Sequence, residues 1–168
     1  ICTARDDPRV QAGYTALSDA CASFGSTQIQ LMGTLGGNLG NASPASDAVP
    51  ALMAFDARLT AAGPDGERQV SVEEFLVGPG RTALERGEIL TDIALPEPQP
   101  GTGSAFIKLS RVAADLAKVS VAAVVVRDGE RIVDCRLAFG SVAPTVMRAR
   151  DAEQVLIDQS FSAELALE

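Results

Sequence analysis

The sequence predicts an α+β fold, and three observations carry that prediction. Apolar residues recur at three- and four-residue steps early in the chain, at Val10, Tyr14, Leu17 and Cys21, the period of a helix with one buried face. Far downstream, residues 119–127 and 132–142 form two apolar runs joined through Asp128-Gly129, the signature of an antiparallel hairpin. Between these regions a Pro/Gly stretch, residues 96–103, divides the chain into 1–98 and 99–168. The expected architecture is a mixed α/β segment followed by an antiparallel sheet with helices on one face.

Taken in order, residues 10–24 read as one helix that ends at Gly25-Ser26. Gln28-Ile29-Gln30-Leu31 alternates briefly and leads into a glycine-rich stretch, 33–47, expected to be a loop. Ser46 and Asp47 resemble a helix N-cap, and helical spacing follows through Val49, Leu52, Met53 and Phe55. Pro50 falls in that helix's first turn, where a missing N–H is tolerated. Residues 57–61 and 69–72 suggest a hairpin around Pro64-Asp65-Gly66, and 72–76 a short helix or turn. Residues 89–95 alternate as a strand until Pro96, Pro98 and Pro100 end regular structure. A strand over 104–110, the hairpin, a helix over 150–157 and the start of another at 162–168 complete the chain.

The glycine-rich stretch carries the chemistry. Gly33, Gly36, Gly37 and Gly40 alternate with Thr34, Asn38, Asn41, Ser43, Ser46 and Asp47. Glycine permits positive φ and lets a ligand approach the main chain. Exposed N–H groups in such a turn form an anion-binding concavity, and the short hydroxyl and amide side chains add donors and acceptors. The stretch reads as a holder for a polar, phosphorylated ligand, or as an ordinary solvated turn. The N-terminus of the following helix adds free N–H groups that suit an anion. A P-loop is excluded because no Gly-Lys-Ser/Thr follows. A second glycine pattern, Gly78-Pro79-Gly80-Arg81-Thr82-Ala83, contains a proline and has no apolar strand leading into it.

Composition narrows the function further. The formal net charge of −8 disfavours nucleic acid and anionic membranes as partners. No apolar run approaches the roughly 18 residues that a membrane span requires. The chain has no histidine, which removes Ser-His-Asp catalysis and His metal ligation. Cys2, Cys21 and Cys135 are widely spaced and fit neither a disulfide framework nor a metal site. Buried thiols in a reducing cytoplasm are the expectation. With no metal-ligand cluster beside the glycines, a phosphate-dependent transferase is disfavoured. Because the first residue is Ile1 rather than Met, a missing leader carries no weight.

Thr34-Leu35-Gly36-Gly37-Asn38, followed by Ala42-Ser43-Pro44-Ala45-Ser46-Asp47, closely resembles the flavin-binding signature of the molybdenum hydroxylases, the group of xanthine dehydrogenase and carbon monoxide dehydrogenase. The similar part is their FAD-binding medium subunit or domain. Glu88-Ile89-Leu90, Ala105-Phe106-Ile107-Lys108 and Asp115-Leu116-Ala117-Lys118 fit the same family in the same order.

The resemblance implies a second α/β FAD-binding subdomain over 1–98 and a C-terminal domain over 99–168 with a three-stranded antiparallel sheet and helices. It implies that FAD takes electrons from an iron–sulfur centre and passes them to NAD⁺, oxygen or another acceptor. It gives Thr34, Leu35, Gly36, Gly37, Asn38, Ser43, Ser46, Asp47, Leu90 and Lys108 as cofactor-binding residues. In that scheme Asp47 accepts a hydroxyl hydrogen bond, Ser43 shapes the turn and Lys108 places a cation by the flavin's polar edge. Leu90 is equally explained as a core leucine; for Lys108 a surface lysine at a strand end is the lesser alternative. Asp115 and Lys118, one helical turn apart, are spaced to pair with each other.

Implied partners are a molybdopterin-binding large subunit, a 2Fe-2S small subunit and the remainder of the same flavoprotein subunit, all cytoplasmic. Two departures stand out. The family's usual Arg-Asn before the signature is Gln30-Leu31 here, and its upstream glycine loop has no match in the chain. The upstream loop wraps the diphosphate, and each hydrogen bond to a charged group is worth about 1.5–3 kcal/mol. Losing about three weakens binding roughly a thousandfold or more, so the isolated chain is expected to bind FAD poorly. The competing reading is a structural or docking fragment that binds no cofactor.

Overall fold

The computed structural model describes residues 1–160; the helix expected at 162–168 lies outside them. Six short helices open the chain: α1 (Cys2–Asp6), α2 (Pro8–Gly13), α3 (Thr15–Ala22), α4 (Thr27–Met32), α5 (Leu35–Gly40) and α6 (Ala48–Ala54). The helix expected over 10–24 is two helices, broken at Tyr14 (φ −134°, ψ 53°). Tyr14 leaves helical geometry to set its ring edge-on against Phe55, 5.1 Å between centroids, and to donate its hydroxyl to Pro96 O at 3.0 Å. The alternation at 28–31 belongs to helix α4, capped by Ser26, whose Oγ accepts from Ile29 N–H. Four residues are too few to distinguish a period of two from one of 3.6.

A hairpin of β1 (Arg58–Gly63) and β2 (Gly66–Ser71) follows, then α7 (Val72–Phe75), which starts on a Ser71/Glu74 capping box. A ribbon of β3 (Leu76–Gly78) and β4 (Arg81–Thr82) leads to β5 (Ile89–Ala94), which pairs with β1 to give the antiparallel order β2-β1-β5. A second antiparallel sheet contains β6 (Thr102–Leu109), β7 (Val119–Asp128), β8 (Arg131–Gly140) and β9 (Met147–Arg148), in that order. It thus has a short fourth strand beyond the three expected. Helix α8 (Arg150–Leu156) packs on β8. The turn into β6 needs Gly101: its φ is +81°, and a Cβ there would lie 2.1 Å from Arg127 O.

One hydrophobic core serves both halves. Leu17, Val49, Leu52, Leu59 and Phe75 from the first half join Phe106, Ala122, Val124 and Ala138 from the second. Helix α6 is buried along its whole length and contacts β7 and β8 on one side and α3, α5 and α7 on the others. Ser104 Oγ on β6 accepts from Ala16 N–H in the first turn of α3, at 3.0 Å, so a strand of the second half caps a helix of the first.

The first sheet closes on an ion pair. Arg68 on β2 grips both oxygens of Glu88 at 2.8 Å and also donates to Ala83 O at 2.6 Å. Arg68, followed by the backbone N–H of Glu85, draws the Glu88 carboxyl down from its ordinary 4.5 to about 2. The stabilisation is therefore complete above pH 4.5 and is lost as pH falls from there towards 2. Glu88→Gln is expected to lower stability at neutral pH and to flatten the acid limb in that window. Urea unfolding across the pH range checks this; an acid limb identical to wild type would contradict it.

Candidate functional site

The signature is a helical turn followed by a tight bend, rather than one open loop. Thr34 is the N-cap of α5, and its Oγ1 accepts from Gly37 N–H at 2.9 Å. Gly33, Gly36, Gly37 and Gly40 all have ordinary negative φ, so the positive φ expected of them is not what they supply. Two are explained by the chain's own packing. A Cβ on Gly33 would meet Ile29 O at 3.0 Å, and one on Gly37 would meet Thr34 Oγ1 at 2.9 Å. Gly36 and Gly40 have no such reason: a Cβ on Gly36 would find only Leu90 Cδ2 at 3.8 Å, and one on Gly40 nothing within 4 Å. Each helical glycine costs about 1 kcal/mol relative to alanine. Helix α5 thus forgoes up to about 1 kcal/mol at Gly36 to keep the main chain bare, while Gly40 is its last residue, where the interior cost does not apply.

The bend after α5 is held from within. Ser43 Oγ accepts from Ala45 N–H at 3.2 Å. Asn38 Nδ2 donates to Ser46 Oγ at 3.4 Å, and Asn38 Oδ1 accepts from Ala48 N–H at 3.3 Å, tying α5 to the start of α6. Ala42, with φ +43°, accepts Gly80 N–H at 3.1 Å. The second glycine pattern is therefore a β3–β4 turn spent on supporting the first; no helix follows it.

Asp47 sits at the N-cap of α6 but makes no capping bond. It faces Lys108 of β6 instead. Lys108 Nζ lies 3.0 Å from Asp47 Oδ1 and 3.1 Å from Oδ2, and it also donates to Ser23 O at 3.1 Å. The two side chains are only 4 % and 9 % exposed. Only the Oδ2 contact has hydrogen-bond alignment, so Oδ1 is electrostatically matched yet has no donor. Burial pushes the Asp47 carboxyl up from its ordinary value, while Lys108 opposes that shift. With a carboxylate at its tip and Ala48 N–H already taken, the α6 N-terminus is not the free anion site expected from the sequence.

A groove of about 180 Å³ opens here. Asn38, Ser46 and Asp47 line it, with Phe24, Ile29 and Leu116 as apolar walls. Ser43 also faces it, so the structure brings together Asn38, Ser43, Ser46 and Asp47. Leu35 and Leu90 pack against the core instead, with Leu90 beside Gly36. Gln30, at the position of the family's arginine, is buried; it accepts from Arg5 Nη1 at 2.6 Å and donates to Ala22 O at 3.0 Å. Asp115 pairs with Arg111 at 2.8 Å rather than with Lys118. Residues 110–118 are not helical, so the spacing that favoured Lys118 does not apply.

Sequence reasoning missed a second charged cluster at the other end of α6. Asp56 (φ +54°) receives Arg136 and Arg148 at 2.9 Å each, and Arg148 also pairs with the buried Glu153 at 2.7 Å. Its members are up to 97 residues apart in the chain (153 − 56 = 97), beyond the reach of any local pattern. Among the described residues no helix is long and apolar enough to cross a membrane.

Two family models match the chain. The FAD binding domain in molybdopterin dehydrogenase covers residues 1–98, and the CO dehydrogenase flavoprotein C-terminal domain covers 104–168. The carbon monoxide dehydrogenase medium chain of Hydrogenophaga pseudoflava is 32 % identical over 94 % of this chain and 55 % of its own length. A putative xanthine dehydrogenase FAD-binding subunit of Escherichia coli is 36 % identical over 89 % of this chain and 52 % of its own. Among solved structures, a carbon monoxide dehydrogenase from Hydrogenophaga pseudoflava superposes with a TM-score of 0.92 at 32 % identity, covering 97 % of this chain and 57 % of that one. The chain thus spans about half the length of the curated relatives it matches. It belongs to the family of FAD-binding domains of the molybdopterin dehydrogenases.

Proposed function

We propose that this chain is the cofactor-holding part of the flavoprotein component of a molybdenum hydroxylase. Bound FAD supplies the redox chemistry, carrying electrons from a partner's iron–sulfur centre to NAD⁺, oxygen or another acceptor. The partners in this reading are a molybdopterin-binding large subunit, a 2Fe-2S small subunit and the rest of the flavoprotein subunit, assembled in the cytoplasm. The observation that carries it is the bare main chain of α5 at Gly36, a cost without any return inside the chain itself.

The roles follow from the geometry. Gly36 and Gly37 give the ligand access to the backbone beside Leu90, with Thr34 and Leu35 fixing the start of α5. Ser43, Ser46 and Asp47 border the polar groove, and their short polar side chains suit a ligand's hydroxyls. Asn38 holds α5 and α6 in register. No acid–base pair is required, since these residues bind, orient and exclude water.

The observation that Asn38, Ser46 and Lys108 already spend hydrogen bonds within the chain favours a second reading, a cofactor-free docking piece. Two measurements separate the readings. Gly36→Ala is expected to raise stability by up to about 1 kcal/mol while weakening FAD binding by the complete flavoprotein about tenfold or more. Urea unfolding and flavin-fluorescence titration read the two effects; unchanged affinity would favour the docking piece. FAD titrated into the isolated 168 residues is expected to bind weakly, because the chain spans about half of its relatives. A submicromolar dissociation constant there would overturn the incomplete-site part of the proposal.

A further inference from the structure

The signature segment is bonded to the second half of the chain at two points, Pro44 and Asp47. Pro44 O accepts from Ser141 N–H at 2.8 Å, at the end of β8, where Ser141 holds a φ of +65°. Gly140 is bare at the same place because a Cβ would meet Ser120 Oγ at 2.5 Å and Pro44 O at 3.3 Å. The second point is Lys108, whose ammonium spans Asp47 and Ser23 O from β6. Its side chain is 4 % exposed, and its charge is already matched. A cation so placed is poorly suited to act on a ligand's edge directly.

Resting on the reading that the 33–47 segment holds FAD, we propose that Lys108 is a positioning residue: it latches the β6–β9 sheet to Asp47 and so fixes the cofactor-facing carboxylate without itself touching the cofactor. Lys108 spans both carboxylate oxygens, 3.0 Å from Oδ1 and 3.1 Å from Oδ2, and Oδ1 is buried against it. It thereby fixes the plane of the carboxylate at the edge of the groove. Asp47 cannot hold this orientation alone, since it makes no capping bond at α6. The burial of both partners makes the latch stiff, because an uncompensated charge left there is costly.

A double-mutant cycle on the complete flavin-binding protein tests this. Lys108→Met keeps the length of the side chain and removes the charge. Asp47→Asn leaves the Lys108 ammonium uncompensated and is expected to lower the melting temperature, whereas the double variant carries no buried charge at this point and is expected to recover part of that loss. Lys108→Met is expected to weaken FAD binding about tenfold or more. In the Asp47→Asn background the same change is expected to leave both the dissociation constant and the flavin midpoint potential unaltered. A further loss of affinity, or a shifted potential, in the double variant would mean that Lys108 touches the flavin, and would overturn the latch. Retention of wild-type affinity by folded Lys108→Met, with only a lowered melting temperature, would reduce the pair to a structural one and also overturn it. If the wild-type protein takes up no flavin, the cofactor reading fails and the latch fails with it; the variant results above sink the latch alone.

Discussion

A helix with no polar residue along it can exist only where other elements cover every side. Helix α6, Ala-Val-Pro-Ala-Leu-Met-Ala, is such a helix, and the rest of the molecule is arranged to bury it. The β6–β9 sheet supplies one wall, while α3, α5 and α7 supply the others. Its two ends carry the charges that the helix lacks: Asp47 meets Lys108, and Asp56 meets Arg136 and Arg148. Each acid lies in the first half of the chain and each base in the second. The halves matched by separate family models therefore share one core and one axis.

This arrangement explains how a costly glycine helix survives. Helix α5 holds three glycines in six residues, and an isolated helix of that length and composition would not form in water. It persists because Thr34 caps it, Asn38 bolts it to α6, and Leu35 and Leu39 anchor it in the core. The rigidity comes from the surroundings, which leaves the backbone at Gly36 free of side chains. Asp47 is held in the same way, with Lys108 against both of its oxygens at the edge of the groove. A scaffold that spends its own stability on bare backbone is ordered for something outside itself.

Much of this was legible in the sequence wherever the signal is local. The β7–β8 hairpin announced itself through Asp128-Gly129 and α6 through its apolar spacing and early proline, while the glycines marked out the candidate segment without its helical form. The break at Tyr14 was not legible, because the apolar period runs through it and only a partner 41 residues away (55 − 14 = 41), Phe55, explains it. Helix α5 was hidden by its own composition, since glycine argues for a loop and the support that overrides it is tertiary. The Asp47–Lys108 pair joins residues 61 apart; the sequence offered both as ligand contacts but not as partners. Asp56, Arg136 and Arg148 drew no notice in the sequence for the same reason.

The central claim is that the main chain of the 33–47 segment, kept bare at Gly36 and braced by α6, grips the cofactor. Amide hydrogen exchange on the complete flavoprotein, with and without FAD, reads that contact directly. The account predicts slowed exchange in the peptide spanning residues 34–47 and in the strand carrying Leu90. Unchanged exchange there, with protection appearing elsewhere in the chain, would contradict it.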